Sequence, residues 1–212
     1  MVKIKICGLS TLEAVETSIE AGASFIGLVF YAKSPRNVSL EVAKELADRA
    51  RGRVKIVALI VDADDAALQS INNAVGPDYF QAHGSETPQR LVEIQQLTGK
   101  PVIKAIKVAE ASDVLQAANY EGKAALILYD AKAPETLLNA LPGGNGIAFD
   151  WNLLANSRDF MLSGGLNPDN VATAIKATGA PIVDVSSGVE AAPGKKDLTL
   201  IRKFIEQALA AS

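Results

Sequence analysis

A single thiol stands in the stretch Lys3-Ile4-Lys5-Ile6-Cys7-Gly8, and the chain holds no other cysteine. A free thiol ionises near pH ~8.5, so Cys7 becomes a usable base only where its surroundings favour the thiolate; an inert buried thiol is the commoner fate of a lone cysteine. Two glycine-rich turns, Ser163-Gly164-Gly165 and Ser186-Ser187-Gly188, suit a phosphate, because backbone N–H groups must approach an anion closely and side chains would obstruct them. Either turn alone reads as a tight connection. Both together, in adjacent loops, read as a phosphate site. No G-x-x-x-x-G-K-[ST] sequence occurs, so a P-loop nucleotide site is not indicated.

What positions these groups is an alternation of short β-branched runs with segments of helical period, completed about eight times. The pattern predicts strands over 2–7, 25–30, 54–61, 79–83, 102–108, 124–130, 160–163 and 182–186. Helices are predicted over 11–21, with Leu12, Val15 and Ile19 on one face, and over 39–50, with Ser39 as N-cap. Gly22, Gly99 and Gly179 mark helix ends. No linker divides the chain, and Pro142-Gly143-Gly144-Asn145-Gly146 suits a mobile loop within a domain. Eight units in 212 residues average about 26 each, close to the lower size limit of roughly 200 residues for a (β/α)8 TIM barrel. The expectation is therefore one such α/β domain spanning 1–212, with a doubly wound open sheet as the competitor. In a barrel the active site lies at the C-terminal ends of the strands. Those ends carry Cys7-Gly8, the loop to Arg36, Asp62, His83-Gly84, Asp130, Gly164-Gly165 and Ser186-Ser187-Gly188. Pro193-Gly194-Lys195-Lys196-Asp197 is placed to begin the short extra helix that often completes a phosphate site.

Composition narrows the function classes. The chain is 49% hydrophobic and 21% charged but only 5% aromatic, which suits helices packed on a buried parallel sheet. A net charge of -3 with mixed signs offers no basic surface for nucleic acid, so an anionic substrate must be held by local groups. One cysteine excludes an internal disulfide, and one histidine, His83, leaves little material for a metal site. The first 20 residues lack an apolar signal segment and no membrane span is read, which fits the cytoplasm.

Lys5-Ile6-Cys7-Gly8, Ser34-Pro35-Arg36, Gln81-Ala82-His83-Gly84, Phe149-Asp150-Trp151, Ser163-Gly164-Gly165-Leu166-Asn167-Pro168 and Asp184-Val185-Ser186-Ser187-Gly188-Val189-Glu190 together resemble the phosphoribosylanthranilate isomerases of tryptophan biosynthesis. The resemblance runs from residue 3 to about 197, and its specificity lies in the order and spacing of the motifs. It implies an Amadori rearrangement without cofactor or metal, in which N-(5-phosphoribosyl)anthranilate becomes 1-(2-carboxyphenylamino)-1-deoxyribulose 5-phosphate. By the same resemblance Cys7 is the general base and Asp130 the general acid. Arg36 is the candidate for the anthranilate carboxylate, being planar and forked, and Asp184 for positioning the substrate. The phosphate falls to Gly164, Gly165, Ser186, Ser187 and Gly188. His83 is expected near the site as a structural histidine, and Asp150 as an N-cap beside a packing Trp151.

A solvated aspartate, with a pKa of about 3.9, is a poor acid at neutral pH, so Asp130 needs burial or neighbours to serve. Departures from the family pattern are Ala82 within Gln-Ala-His-Gly, Asp62 at the end of the third strand, and Tyr129 before Asp130. The expected partner is a small phosphosugar-anthranilate, with neither nucleic acid nor membrane, and both monomer and homodimer stay open. Two alternatives remain: a ribulose-phosphate epimerase or dual-substrate sugar isomerase on the same barrel, and a phosphate-binding module without catalysis.

Overall fold

In a computed structural model, which describes residues 1–133, 143–144, 146, 148–154 and 157–211, the aliphatic runs pair in parallel and close on themselves. The strands are β1 (Lys3–Cys7), β2 (Phe25–Phe30), β3 (Lys55–Ile60), β4 (Tyr79–Ala82), β5 (Val102–Val108), β6 (Leu126–Ala131), β7 (Phe160–Leu162) and β8 (Ile182–Val185). They follow one another in sequence order around the barrel, and β8 returns to β1 with Lys5 opposite Asp184. The (β/α)8 expectation therefore holds, and the open sheet does not.

The pleat sends alternate residues inward and outward. Outward-facing Ile4, Ile6, Ile26, Leu28, Ile56, Phe80 and Phe160 pack under the helices. Inward-facing Phe25, Val57, Ile103, Leu128, Met161 and Ile182 fill the lower barrel, so the interior is a packed core and only its upper end is free for chemistry.

The helices are α1 (Leu12–Ala21), α2 (Leu40–Ala50), α3 (Asp65–Val75), α4 (Pro88–Thr98), α5 (Ala111–Leu115), α6 (Val171–Thr178) and α7 (Leu198–Ala210). None among the described residues is long and apolar enough to cross a membrane. Ser39 caps α2 through the amide of Val42 at 3.2 Å. Gly22, Gly99 and Gly179 each end a helix in the left-handed conformation, as predicted. Val15 is buried, but Leu12 is not on the same buried face: it opens the first turn and is 41% exposed.

Residues 193–196 also differ from expectation. Instead of a helix, Gly194 turns a hairpin at φ 78° between β9 (Glu190–Ala192) and β10 (Lys195–Lys196). The helical turn lies earlier, at Ser187–Val189, and Asp197 caps α7 by accepting from Thr199 and Leu200. Of the loop 142–146, Pro142 and Asn145 lie outside the described residues.

Candidate active site

At the C-terminal ends of the strands a cavity of about 740 Å³, counting its open mouth, is lined by Cys7, Arg36, His83, Asp130, Ser163 and Asp184. This lies within the ordinary range for a small-molecule site, roughly 300–1,000 Å³. Gly164, Gly165, Ser186 and Ser187 also line it, whereas Gly188 does not. A side chain at Gly188 would overlap the Leu166 carbonyl, so this glycine lets the loop after β8 pack against the loop after β7. Gly164 and Gly165 take φ values of 86° and 64°, a backbone conformation that other residues enter only with strain, and a Cβ at Gly164 would also stand 2.5 Å from the Ala131 amide nitrogen.

Cys7 ends β1, with Gly27 of β2 as its register partner. A Cβ at Gly27 would stand 2.7 Å from the Cys7 sulfur, so the absence of a side chain there makes the thiol's pocket. Two residues earlier on the same face lies Lys5, fully buried, with Nζ 2.9 Å from Asp184 Oδ1. The other Asp184 oxygen accepts from Ser163 Oγ at 3.4 Å. Burial pushes the Cys7 thiol up, the charge of Lys5 opposes this and that of Asp184 adds to it; the net displacement is upward. Burial acts on Lys5 in the lowering sense, but the charges of Asp184 and then Cys7 outweigh it and hold the ammonium above its ordinary value.

Asp130, inward-facing on β6, is held on both oxygens. Oδ1 accepts from its neighbour Ala131 N at 3.0 Å and Oδ2 meets His83 Nε2 at 3.1 Å. The Gln81 amide nitrogen stands 2.9 Å from His83 Nδ1. A neutral imidazole has one donor and one acceptor nitrogen, so His83 links the Gln81 amide to the Asp130 carboxyl in a single chain, with its proton on one side or the other. Gly143 lies over the pair, since a Cβ there would come within 2.6 Å of His83 Nε2 and 2.8 Å of Asp130 Oδ2. His83, expected to be merely structural, is thus a direct partner of Asp130.

Arg36 reaches the cavity from the loop after β2, its stem over Gly8. It is not free: Nε and Nη2 lie 2.7 and 2.9 Å from the two Glu190 oxygens. Lys196 Nζ meets the same carboxylate at 2.8 Å. Burial works against the Glu190 carboxylate, but hydrogen bonding to Arg36 and the charge of Lys196 win and hold it below its ordinary value. Asp150 accepts from the Asn152 amide at 3.0 Å at the start of the short helical turn Trp151–Leu154, and Trp151 packs against the core.

From the sequence, Lys5, Gln81 and Glu190 stand within motifs and Lys196 within an expected helix start, but none of them, nor Gly27, is assigned the contact it makes here. Period-two alternation from Cys7 was the available signal for Lys5. Nothing in the sequence pairs Arg36 with Glu190 across 154 positions. Among the described residues, no group of His, Cys, Asp and Glu could hold a metal ion.

A closed parallel barrel whose cavity at the carboxyl ends of the strands is lined by apolar residues and a few convergent charged and polar groups defines a (β/α)8 enzyme of small-molecule chemistry. The chain belongs to the N-(5'-phosphoribosyl)anthranilate isomerase family, whose model matches residues 4–207. It is 52% identical over 210 residues to the N-(5'-phosphoribosyl)anthranilate isomerase of Parvibaculum lavamentivorans, covering 98% of both chains. Its fold superposes on the phosphoribosyl anthranilate isomerase crystal structure from Thermotoga maritima with TM-score 0.88, at 38% identity over 99% of this chain and 100% of that one. A phosphoribosyl anthranilate isomerase in complex with reduced 1-(o-carboxyphenylamino)-1-deoxyribulose 5-phosphate is similar at TM-score 0.85 and 36% identity, over 99% of this chain and 100% of that one.

Proposed function

We infer that this chain is an N-(5'-phosphoribosyl)anthranilate isomerase of tryptophan biosynthesis, with Cys7 as general base and Asp130 as general acid. The observation that carries the assignment of roles is that one cavity is walled by the sole thiol, from β1, and by the Asp130 carboxyl, from β6. Family membership supports the reaction, and the relative with a bound reduced product analogue supports the ligand class.

Asp130 gives a proton to the furanose ring oxygen. The ring C–O bond breaks and the anilino nitrogen lone pair forms the C1′=N bond of a protonated Schiff base. The Cys7 thiolate then takes the C2′ proton; the C–H electrons become the C1′=C2′ bond and the C1′=N electrons return to nitrogen. The resulting enolamine tautomerises by losing its enol proton and gaining one at C1′, which leaves the ketone. An acid in this role carries its proton when substrate arrives and a base lacks one, so the pair enters the cycle as carboxylic acid and thiolate. The phosphate rests on the loops after β7 and β8, around Gly164, Gly165, Ser186 and Ser187, with Gly188 holding the two loops together. Arg36 receives the anthranilate carboxylate, and Asp184 helps to place the sugar from the neighbouring strand. No cofactor enters any step.

The test is to incubate the protein with phosphoribosylanthranilate and follow loss of substrate fluorescence in wild type, Cys7→Ala and Asp130→Asn. Turnover by the wild type and a fall of at least about 100-fold in both variants is expected, the size typical of removing a positioned acid or base. Phosphate affinity without turnover would leave only the binding module.

A further inference from the structure

We propose that Glu190 and Lys196, on the hairpin after β8, are positioning residues that fix which edge of Arg36 meets the substrate carboxylate. The proposal rests on the reading of Arg36 given above and goes beyond it by assigning the groups that aim the guanidinium.

A guanidinium has five N–H donors, and the edge formed by Nε and one terminal nitrogen is a fork matched to a carboxylate. In this protein that fork is occupied. Glu190 takes Nε at 2.7 Å and Nη2 at 2.9 Å, and Nη2 also donates to the Gly144 carbonyl at 3.3 Å. Among the described residues Nη1 donates to nothing, and Arg36 lines the cavity. Substrate therefore meets the Nη1 end of the guanidinium. Gly144 packs beside that end, since a Cβ there would stand 2.7 Å from Nη1, so a side chain at this position would block it.

Charge accounting leads to the same place. Arg36 and Lys196 share the single Glu190 carboxylate, and all three side chains are at most 6% exposed. One positive charge is left over in a setting where an unpaired charge is costly, which an arriving anion relieves. Lys196 has no capacity to take that anion. Its ammonium donates to the Ser186 carbonyl at 2.8 Å, to Glu190 at 2.8 Å and toward Ser186 Oγ at 3.4 Å, using its three N–H groups. The surplus is thus presented through Arg36 Nη1.

The clamp is mechanically seated as well. A side chain at Gly194 would overlap the Pro35 carbonyl, so the hairpin turn lies directly against the loop that bears Arg36. On the far side a Cβ at Gly8 would come within 2.7 Å of Arg36 Cδ. The stem is held between the two.

The decisive measurements are kcat and KM for Glu190→Gln, Lys196→Met, Arg36→Met and the Arg36→Met/Glu190→Gln double variant, with anthranilate and ribose 5-phosphate as separate inhibitors. Loss of hydrogen bonds to a charged partner is expected to raise KM and the anthranilate inhibition constant about tenfold in Glu190→Gln, while ribose 5-phosphate inhibition stays within about twofold. Lys196→Met is expected to move the same two constants in the same direction, because it removes the surplus charge. In the Arg36→Met background Glu190→Gln is expected to add nothing, since its effect travels through the arginine. Unchanged anthranilate inhibition in both single variants would overturn the proposal. So would an effect of Glu190→Gln that persists undiminished without Arg36, the mark of a structural role. Failure of the reaction itself is separable by measuring anthranilate Kd directly by equilibrium titration: no turnover by the wild type, with that Kd still raised in both variants, would remove the isomerase reading and leave the positioning intact.

Discussion

At the scale of single residues, the barrel places its thiol in an environment that resists ionisation. Burial lifts Cys7, and the charge of Lys5, two positions earlier on the same strand face, opposes it most strongly. A base that must be a thiolate then gains activity as pH rises, so the alkaline-going limb of kcat/KM is expected above the free-thiol value of about 8.5. Lys5→Met is expected to move that limb further up, because the cation that favours the thiolate is gone; a pH–rate profile and the ultraviolet absorbance of the thiolate both read it. A limb at or below the ordinary thiol value would show that the charge of Lys5 outweighs burial in the free enzyme, against the upward displacement expected here. Gly27 shows why the site was only partly legible from residue types. It sits inside a run, Phe25–Phe30, that reads as ordinary strand, and its importance comes from the sulfur of another strand standing where a side chain would be.

Among the elements, the loops after β3 and β4 are tied by a buried ionic knot. Lys104, outward-facing on β5, reaches Glu86 Oε2 at 2.8 Å and the Gly84 carbonyl at 2.8 Å. Glu86 in turn accepts from the Asp62 and Gly84 amides, at 2.8 and 2.9 Å. The knot holds the residues that follow His83, and so the histidine that partners Asp130. Lys104→Met leaves a buried carboxylate without its cation, and a loss of about 3–5 kcal/mol is expected in urea unfolding, the range for breaking one side of a buried pair. The double change Lys104→Met with Glu86→Gln is expected to recover part of it. Strand and helix positions were legible because the two periodicities, 2 and 3.6, are written in the aliphatic residues. The hairpin at 190–196 was not: its strands are two and three residues long, too short to carry a period, and Pro193-Gly194 marks a turn without saying which elements it joins.

For the whole molecule, closure of the barrel joins β8 to β1, and α7 then packs against α1 across that seam. Phe204 on α7 is fully buried, so Phe204→Ala is expected to cost about 3–5 kcal/mol in an unfolding titration. Residues 1–212 are expected to unfold in one cooperative urea transition, and two separated transitions would count against a single domain. By itself the sequence determined the eight-fold alternation and the helix ends at Gly22, Gly99 and Gly179, because local propensity is a property of short stretches, and the candidates Cys7, Asp130, Arg36 and Asp184 came from the family resemblance that the order and spacing of its motifs carry. Only the tertiary structure decided that Asp130 stands against His83, that Lys5 lies beneath Cys7 paired with Asp184, and that Arg36 spends its forked edge on Glu190. Those pairings join residues between 47 and 179 positions apart, and the register of a closed sheet, rather than any local preference, brings such distant groups within hydrogen-bonding distance.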